Sequence, residues 1–127
     1  MTQNKDSFTP QFSPVEINYL RDDHILEIIW DDGILTRLSA ELLRVESPSA
    51  EVQGHHPSEK KIIPGRRHVG IIDISPVGNY AVRITFDDLH DSGLFSWQYL
   101  RELHDSQDKL WADYLTALEA RGLSREP

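Results

Sequence analysis

From Tyr80 to Asp87 apolar and polar residues alternate, with Tyr80, Val82, Ile84 and Phe86 set against Ala81, Arg83, Thr85 and Asp87. A period of two turns every second side chain to one side, so this stretch is expected to be a strand with one face on a core. Asp87, Asp88, Asp91, Ser92 and Gly93 then cluster as turn residues, and Ser96 is placed to cap a helix opening at Trp97. Val15, Ile17 and Tyr19 show the same alternation. It breaks at Arg21, Asp22 and Asp23 and is followed by the apolar run Ile25 to Trp30. Asp32-Gly33 is the dipeptide of a type I′ hairpin turn, in which both central residues take positive φ, so Ile34 to Leu38 should pair back on the second strand. Ser39 is placed to cap a short helix over Ala40 to Arg44. Leu42 and Leu43 supply its buried side, and Glu41 sits in the first turn, where the helix dipole favours an acid.

Residues 45–68 follow no period. Pro48, Gly54, Pro57, Pro64 and Gly65 punctuate them, which predicts a long loop with a short strand at Ile62 and Ile63. A loop of this length in a small domain is usually functional or disordered. His68 to Pro76 reads as a strand that turns at Gly78 and Asn79 into the strand ending at Phe86. Beyond the acidic turn, Trp97, Leu100 and Leu103 sit at helical spacing. A break is expected near Asp105 and Ser106, then a longer amphipathic helix carrying Leu110, Trp111, Tyr114, Leu115 and Leu118, stopped by Gly122. Residues 1–14 read as a mobile tail ordered only near Phe12, residues 15–122 as the single domain and 123–127 as a C-terminal tail. The expected class is α+β: an antiparallel sheet of about five or six strands built from hairpins, with the C-terminal helices packed on or beside it.

Composition narrows the chemistry. At 127 residues, with 39% hydrophobic and 27% charged residues, the chain suits one globular domain. It has no apolar run near the ~20 residues that cross a bilayer, and no basic segment leading into an apolar one, so the cytoplasm is the expected compartment. A net charge of −8 argues against general nucleic-acid binding, which needs a basic surface. The chain has no cysteine, so disulfides and thiolate chemistry are excluded, and a metal would have to use histidine and carboxylate ligands. There is no phosphate-cradling Walker loop, no Gly-x-Ser-x-Gly elbow and no zinc helix, and none of the six histidines has an acid two residues later, as an iron oxygenase strand would.

Three candidate groups remain, each with a plainer reading beside it. Asp87, Asp88 and Asp91 beside His90 suit a hard cation or an acid–base pair, although acidic turn residues more often cap and stay solvated. His55 and His56 with His68 suit a metal, or are simply exposed in a polar loop. Lys60, Lys61, Arg66 and Arg67 gather four of the 13 basic residues. They suit an anion or an acidic protein partner, or form a solvated basic loop. Trp97, Tyr99, Trp111 and Tyr114 are most simply core and rim.

Several separated motifs occur in an order that points to a family. Ile28-Ile29-Trp30-Asp31-Asp32-Gly33 is followed by Leu42-Leu43-Arg44, then Val77-Gly78-Asn79-Tyr80-Ala81. Asp88-Leu89-His90-Asp91-Ser92-Gly93-Leu94-Phe95-Ser96-Trp97 comes next, with Leu100 and Arg101. From about Val15 to Leu103 the chain resembles the gamma-butyrobetaine hydroxylase-like N-terminal domain family. In hydroxylases that carry it, this domain precedes the oxygenase domain and holds a structural zinc through three cysteines and one histidine, the cysteines following a Leu-Arg pair. Similar domains are fused to P-loop ATPases of the iron–sulfur carrier type, and others stand alone in bacteria with no assigned role. Here the cysteine positions fall on Ser47, Ser49 and Val52, while the histidine is kept as His90. Serine hydroxyls are poor zinc ligands and valine is none, so a degenerate site with no metal and no cofactor is expected. The oxygenase's iron-binding motif is absent from this sequence. The resemblance therefore implies a non-catalytic binding or adaptor module, serving iron–sulfur or oxygenase systems through an unidentified protein partner, while charge and hydropathy give no expected role to nucleic acid or membrane. The other reading is an enzyme, or a subunit of one, with its site between the 45–68 loop and the 87–93 turn.

Overall fold

The strands sort into two three-stranded antiparallel sheets, not the single larger sheet expected. The computed structural model describes residues 12–127; residues 1–11 of the expected mobile tail lie outside the described residues. The first sheet is β1 (Pro14–Leu20), β2 (Ile25–Trp30) and β3 (Leu35–Ser39), in that order, and the second is β4 (Ile71–Val77), β5 (Ala81–Phe86) and β6 (Leu94–Ser96). What separates them is the short helix α1 (Ala40–Val45), whose six residues are all buried. Ser39 starts it by accepting a hydrogen bond from Leu42 N at 3.0 Å, satisfying one of the free N–H groups of the first turn. A helix buried on every side takes the chain out of the first sheet. The open edge of β5 is then taken by β6, a strand whose three residues are too few to show a period.

Alternation is followed in part: Val82, Ile84 and Phe86 turn inward as expected, while Val15 is 68% exposed and Ala81, set on the polar side, is buried. Leu26, Ile28 and Trp30 point inward from β2, and Thr36 and Leu38 from β3, where Thr36 Oγ1 accepts from Trp30 Nε1 at 2.8 Å. From β5, Ala81, Val82, Ile84 and Phe86 are buried. Tyr80 lies outside the strand and is half exposed, its carbonyl accepting from Trp97 N. The turn at Asp32-Gly33 departs from type I′. Only Gly33 has positive φ (88°), and its N–H returns to the Trp30 carbonyl at 3.0 Å. This is the longer loop with one left-handed residue at its end, which glycine fills without strain.

The C-terminal region is one helix of 24 residues, α3 (Trp97–Ala120), capped by Ser96, and not two. Asp105 and Ser106 are exposed, so the expected break is part of the helix's wet face. Its buried residues Leu100, Leu103 and Trp97 join both sheets and α1 in one core, with Trp97 edge-on to Trp30 at 6.4 Å. Phe12 also packs edge-on to Trp30, and Pro14 opens β1, so the expected tail is structured from Phe12 onward. The 45–68 segment is built too. It holds α2 (Ala50–Gln53), capped by Ser49, and a 3-10 turn at Pro57–Glu59. Ile62 and Ile63 form no strand; they pack against a second cluster of Val45, Tyr114 and Leu118.

Residues 123–127, expected as a tail, are tied down. Ser124 and Arg125 carbonyls accept from Gly65 N and Arg67 N, and the Arg125 guanidinium makes two bonds to the Glu41 carboxylate of α1, at 2.9 and 2.7 Å. Replacing Arg125 by Met would leave that carboxylate buried without its cation. We expect a loss of about 2 kcal/mol, below the roughly 3–5 kcal/mol of a sealed pair because Arg125 keeps 30% exposure. Urea denaturation should show the loss, and the double variant Arg125→Met/Glu41→Gln should recover part of it.

Candidate functional site

The 87–93 turn and the segment after α1 face each other across a cleft of about 310 Å³, walled by Arg44, Glu51, Val52, Ile63, Leu89 and His90. The turn is closed from within. Phe86 N donates to the His90 carbonyl and Leu89 N to the Phe86 carbonyl, both at 2.9 Å, while Asp88 Oδ1 accepts from His90 N at 3.2 Å. This tight path holds Leu89 at φ 72° and carries the His90 ring inward, where it is 8% exposed.

At the floor of the site the His90 ring bridges two chain segments. Ser47 Oγ lies 2.9 Å from His90 Nε2, and Glu51 Oε1 lies 3.2 Å from His90 Nδ1. A carboxylate can only accept, so Nδ1 carries the ring hydrogen, and Nε2 of the neutral ring accepts from the Ser47 hydroxyl. Ser92 Oγ donates to the same Glu51 oxygen at 2.7 Å. Hydroxyl, imidazole and carboxylate in this order are the connections of a hydrolytic triad. Ser47, however, is 0% exposed, and its Oγ is packed so closely on Gly93 that a β-carbon there would collide with it. A nucleophile must reach its substrate, so this set serves as a clasp between two segments.

Beside the clasp, Asp88 is paired twice. Arg44 Nε and Arg66 Nε both bond Asp88 Oδ2, at 2.8 and 2.7 Å. Burial pushes the Asp88 carboxyl upward, but the bond from Arg44, a backbone bond from His90 and the bond from Arg66 leave it below the usual carboxylate range. Ser92's hydrogen bond leads the causes that lower Glu51. For His90, burial and then the Arg44 cation lower the pKa from 6.5, against opposing pulls from Glu51, Asp88 and Asp91.

Of the residues singled out from sequence, Ser47, Ser49, Val52 and His90 gather here. Ser49 N lies 3.4 Å from Ser47 Oγ, and Val52 is buried in the cleft wall. The basic group is dispersed into separate pairs: Lys60 with Glu46 at 2.6 Å, Arg66 with Asp88, and Arg67 with Glu126 at 2.7 Å. Lys61 is exposed and has no carboxylate within ion-pair reach among the described residues. His55, His56 and His68 are exposed, and among the described residues no three histidines or acids come together as a metal would require. Asp87 and Asp91 are solvated turn residues, while Asp88 is the counter-ion of two arginines. Glu51, Arg44 and Leu89 escaped the sequence reading. The roles of Arg44 and Glu51 depend on meeting the turn across about forty residues, as with the 44-residue separation of Arg44 and Asp88, and that of Leu89 on a backbone conformation that its residue type does not signal. Among the described residues no helix is long and apolar enough to cross a membrane.

The profile of the gamma-butyrobetaine hydroxylase-like N-terminal family matches residues 17–101. The chain belongs to this family. Two structures solved in solution by NMR are 46% and 45% identical to it, with TM-scores of 0.80 and 0.77. The first match covers 94% of this chain and 91% of the other; the second covers 91% and 90%. A crystal structure from Acidithiobacillus ferrooxidans, described as a protein of unknown function of the DUF971 family, is 40% identical. That match covers 72% of this chain and 92% of the other, with a TM-score of 0.62. No curated protein matches. At the positions where the resemblance implies zinc ligands, this member of the gamma-butyrobetaine hydroxylase-like N-terminal family offers two hydroxyls, a valine and one imidazole. That donor set does not fit a tetrahedral zinc, which asks for thiolates or further imidazoles. The imidazole is instead satisfied by Ser47 and Glu51.

Two outcomes follow from the clasp. Gly93→Ala should destabilise the fold by roughly 1–3 kcal/mol through overpacking, and Ser47→Gly should rescue it by removing the colliding oxygen; thermal midpoints of the two single variants and the double variant measure this. The second outcome is acid sensitivity. His90 titrates lower in the fold than the 6.5 of a free imidazole, so the unfolded chain takes up the proton first. Its stabilising share is complete above about 6.5 and is lost as pH falls through the lowered native value. Urea midpoints should therefore drop as pH falls below about 6.5, and His90→Gln should flatten this limb.

Proposed function

We propose that this chain is a non-catalytic binding module that receives a protein partner across the cleft between the 46–63 segment and the 87–93 turn. Leu89 carries the reading. It is 76% exposed at the rim of the cleft, and its backbone sits at φ 72°, a region that costs a leucine on the order of 1 kcal/mol or more. The fold thus bears strain to hold an apolar side chain in water. Burial against a partner would return roughly 1.5–3 kcal/mol. Lys61 and the Arg66–Asp88 pair give the surroundings polar groups that suit an acidic or mixed surface. The company kept by similar domains, as the resemblance implies it, favours a cytoplasmic partner from iron–sulfur or oxygenase systems.

The reading as an enzyme draws on one observation, the Ser47–His90–Glu51 line. Burial of Ser47 opposes it. Affinity capture from the source cell, followed by reconstitution with the purified captured protein, tests the proposal. Wild type should retain one recurring protein, and Leu89→Asp should lose it while keeping its thermal midpoint. Equal retention by the variant, or labelling of Ser47 by a fluorophosphonate, would favour the enzyme reading.

A further inference from the structure

We propose that Arg44 makes the inner end of this cleft a carboxylate site; the inference deepens the binding reading above and rests on it. Arg44 is an unusual residue to bury. Its side chain is 9% exposed, Asp88 takes its Nε, and its Nη1 is enclosed with no acceptor. A guanidinium carries five N–H groups, and a buried donor left without an acceptor is costly, so the site is incomplete as it stands. What completes it is an acceptor, and because Nη1 is sealed, one entering the cleft that Arg44 lines is received as the side chain turns its Nη edge toward the opening.

Charge and shape choose the acceptor. Two guanidinium groups, Arg44 and Arg66, share the single Asp88 carboxylate, which leaves this trio one positive charge in excess. Lys61 adds to the local field, since it and Arg44 are among the cations acting on Glu51. Glu51 and Asp91 also line the cleft and oppose a second negative charge, which disfavours phosphate. A carboxylate has one charge and two coplanar oxygens, the arrangement that a guanidinium edge receives with two parallel hydrogen bonds. The adjoining wall is apolar, with Val52 1% exposed, Ile63 partly buried and Leu89 at the rim. The ligand is therefore a monocarboxylate on a short apolar stem. A free acid and the end or side chain of a partner peptide both have that chemistry.

Titration of the ¹⁵N-labelled chain, following the Arg44 Nε–Hε signal and the Leu89 methyls, tests this with propionate, its neutral amide and inorganic phosphate. Propionate should give saturable shifts at both residues, with the amide and phosphate at least about tenfold weaker. Arg44→Lys keeps the charge but loses the planar fork, and should weaken propionate about tenfold. Should that variant unfold, Arg66→Gln is at a position 31% exposed and should weaken binding severalfold on an intact fold. Short peptides with a free or amidated C-terminus, and with or without an internal Glu, identify the source. Dependence on the free end or on the Glu assigns the site to a partner, and binding of propionate alone assigns it to a small acid. Non-saturating shifts with every carboxylate, shifts unchanged in both arginine variants, or phosphate binding above propionate would overturn the inference. If carboxylates fail while Leu89→Asp still abolishes capture of the partner, the binding reading stands without this site.

Discussion

A helix buried on every residue and carrying charges sets the terms for this structure. In α1 and the residue after it, Glu41, Arg44 and Glu46 are each 8% exposed or less. Charges in such a place are tolerated only when paired, because water is no longer there to solvate them. Each draws its partner from a different part of the chain: Arg125 from the C-terminal end, Asp88 from the acidic turn and Lys60 from the long loop. Three segments without strong secondary structure are thereby fixed on one short helix. The Tyr99 hydroxyl adds a bond from α3 to the Glu46 carbonyl. Its pKa lies well above the usual phenol value because of burial and the Glu46 charge beside it, so the hydroxyl stays a donor.

The cleft is a by-product of that pairing. Arg44 and Arg66 hold Asp88, and Asp88 in turn holds His90 N, so the turn is locked in the tight path that strains Leu89 and drives the imidazole inward. Ser47, three residues beyond Arg44, is carried to the same place from the other side. The two halves of the site are thus positioned by one charged cluster. His24 offers a parallel case in the first sheet. Also at positive φ (55°), it ties the β1–β2 turn to the segment before β4 through Nδ1 to the Val69 carbonyl at 2.9 Å, and its own carbonyl accepts from Ala40 N at the start of α1.

Local physics made much of this readable in advance. Alternation marked most of the inward face of β5, an apolar run marked β2, and side-chain caps marked the starts of α1 and α3, because these signals are complete within a few residues. Two of the family's ligand positions, Ser47 and His90, do meet. Signals that failed were those spread over distance or too short to repeat. β6 has no period to detect. The polar pair Asp105-Ser106 cannot be told from a helix break until its outward face is known. The basic cluster looked like free surface because Lys60, Arg66 and Arg67 find their acids 14, 22 and 59 residues away. One local rule also misled, since Asp-Gly suits both a two-residue and a three-residue loop, and the pairing of Trp30 with Ile34 selects the longer.

The Ser47–His90–Glu51 clasp changes what the domain's integrity depends on. A fold closed by thiolates around a metal answers to the supply of that metal and to oxidants that attack sulfur. Hydroxyl, imidazole and carboxylate answer to neither. With no cysteine in the sequence, peroxide finds no thiol to oxidise, and scarcity of zinc withdraws nothing from this clasp. The contacts that join Ser47, His90 and Glu51 contain no atom that either change would remove.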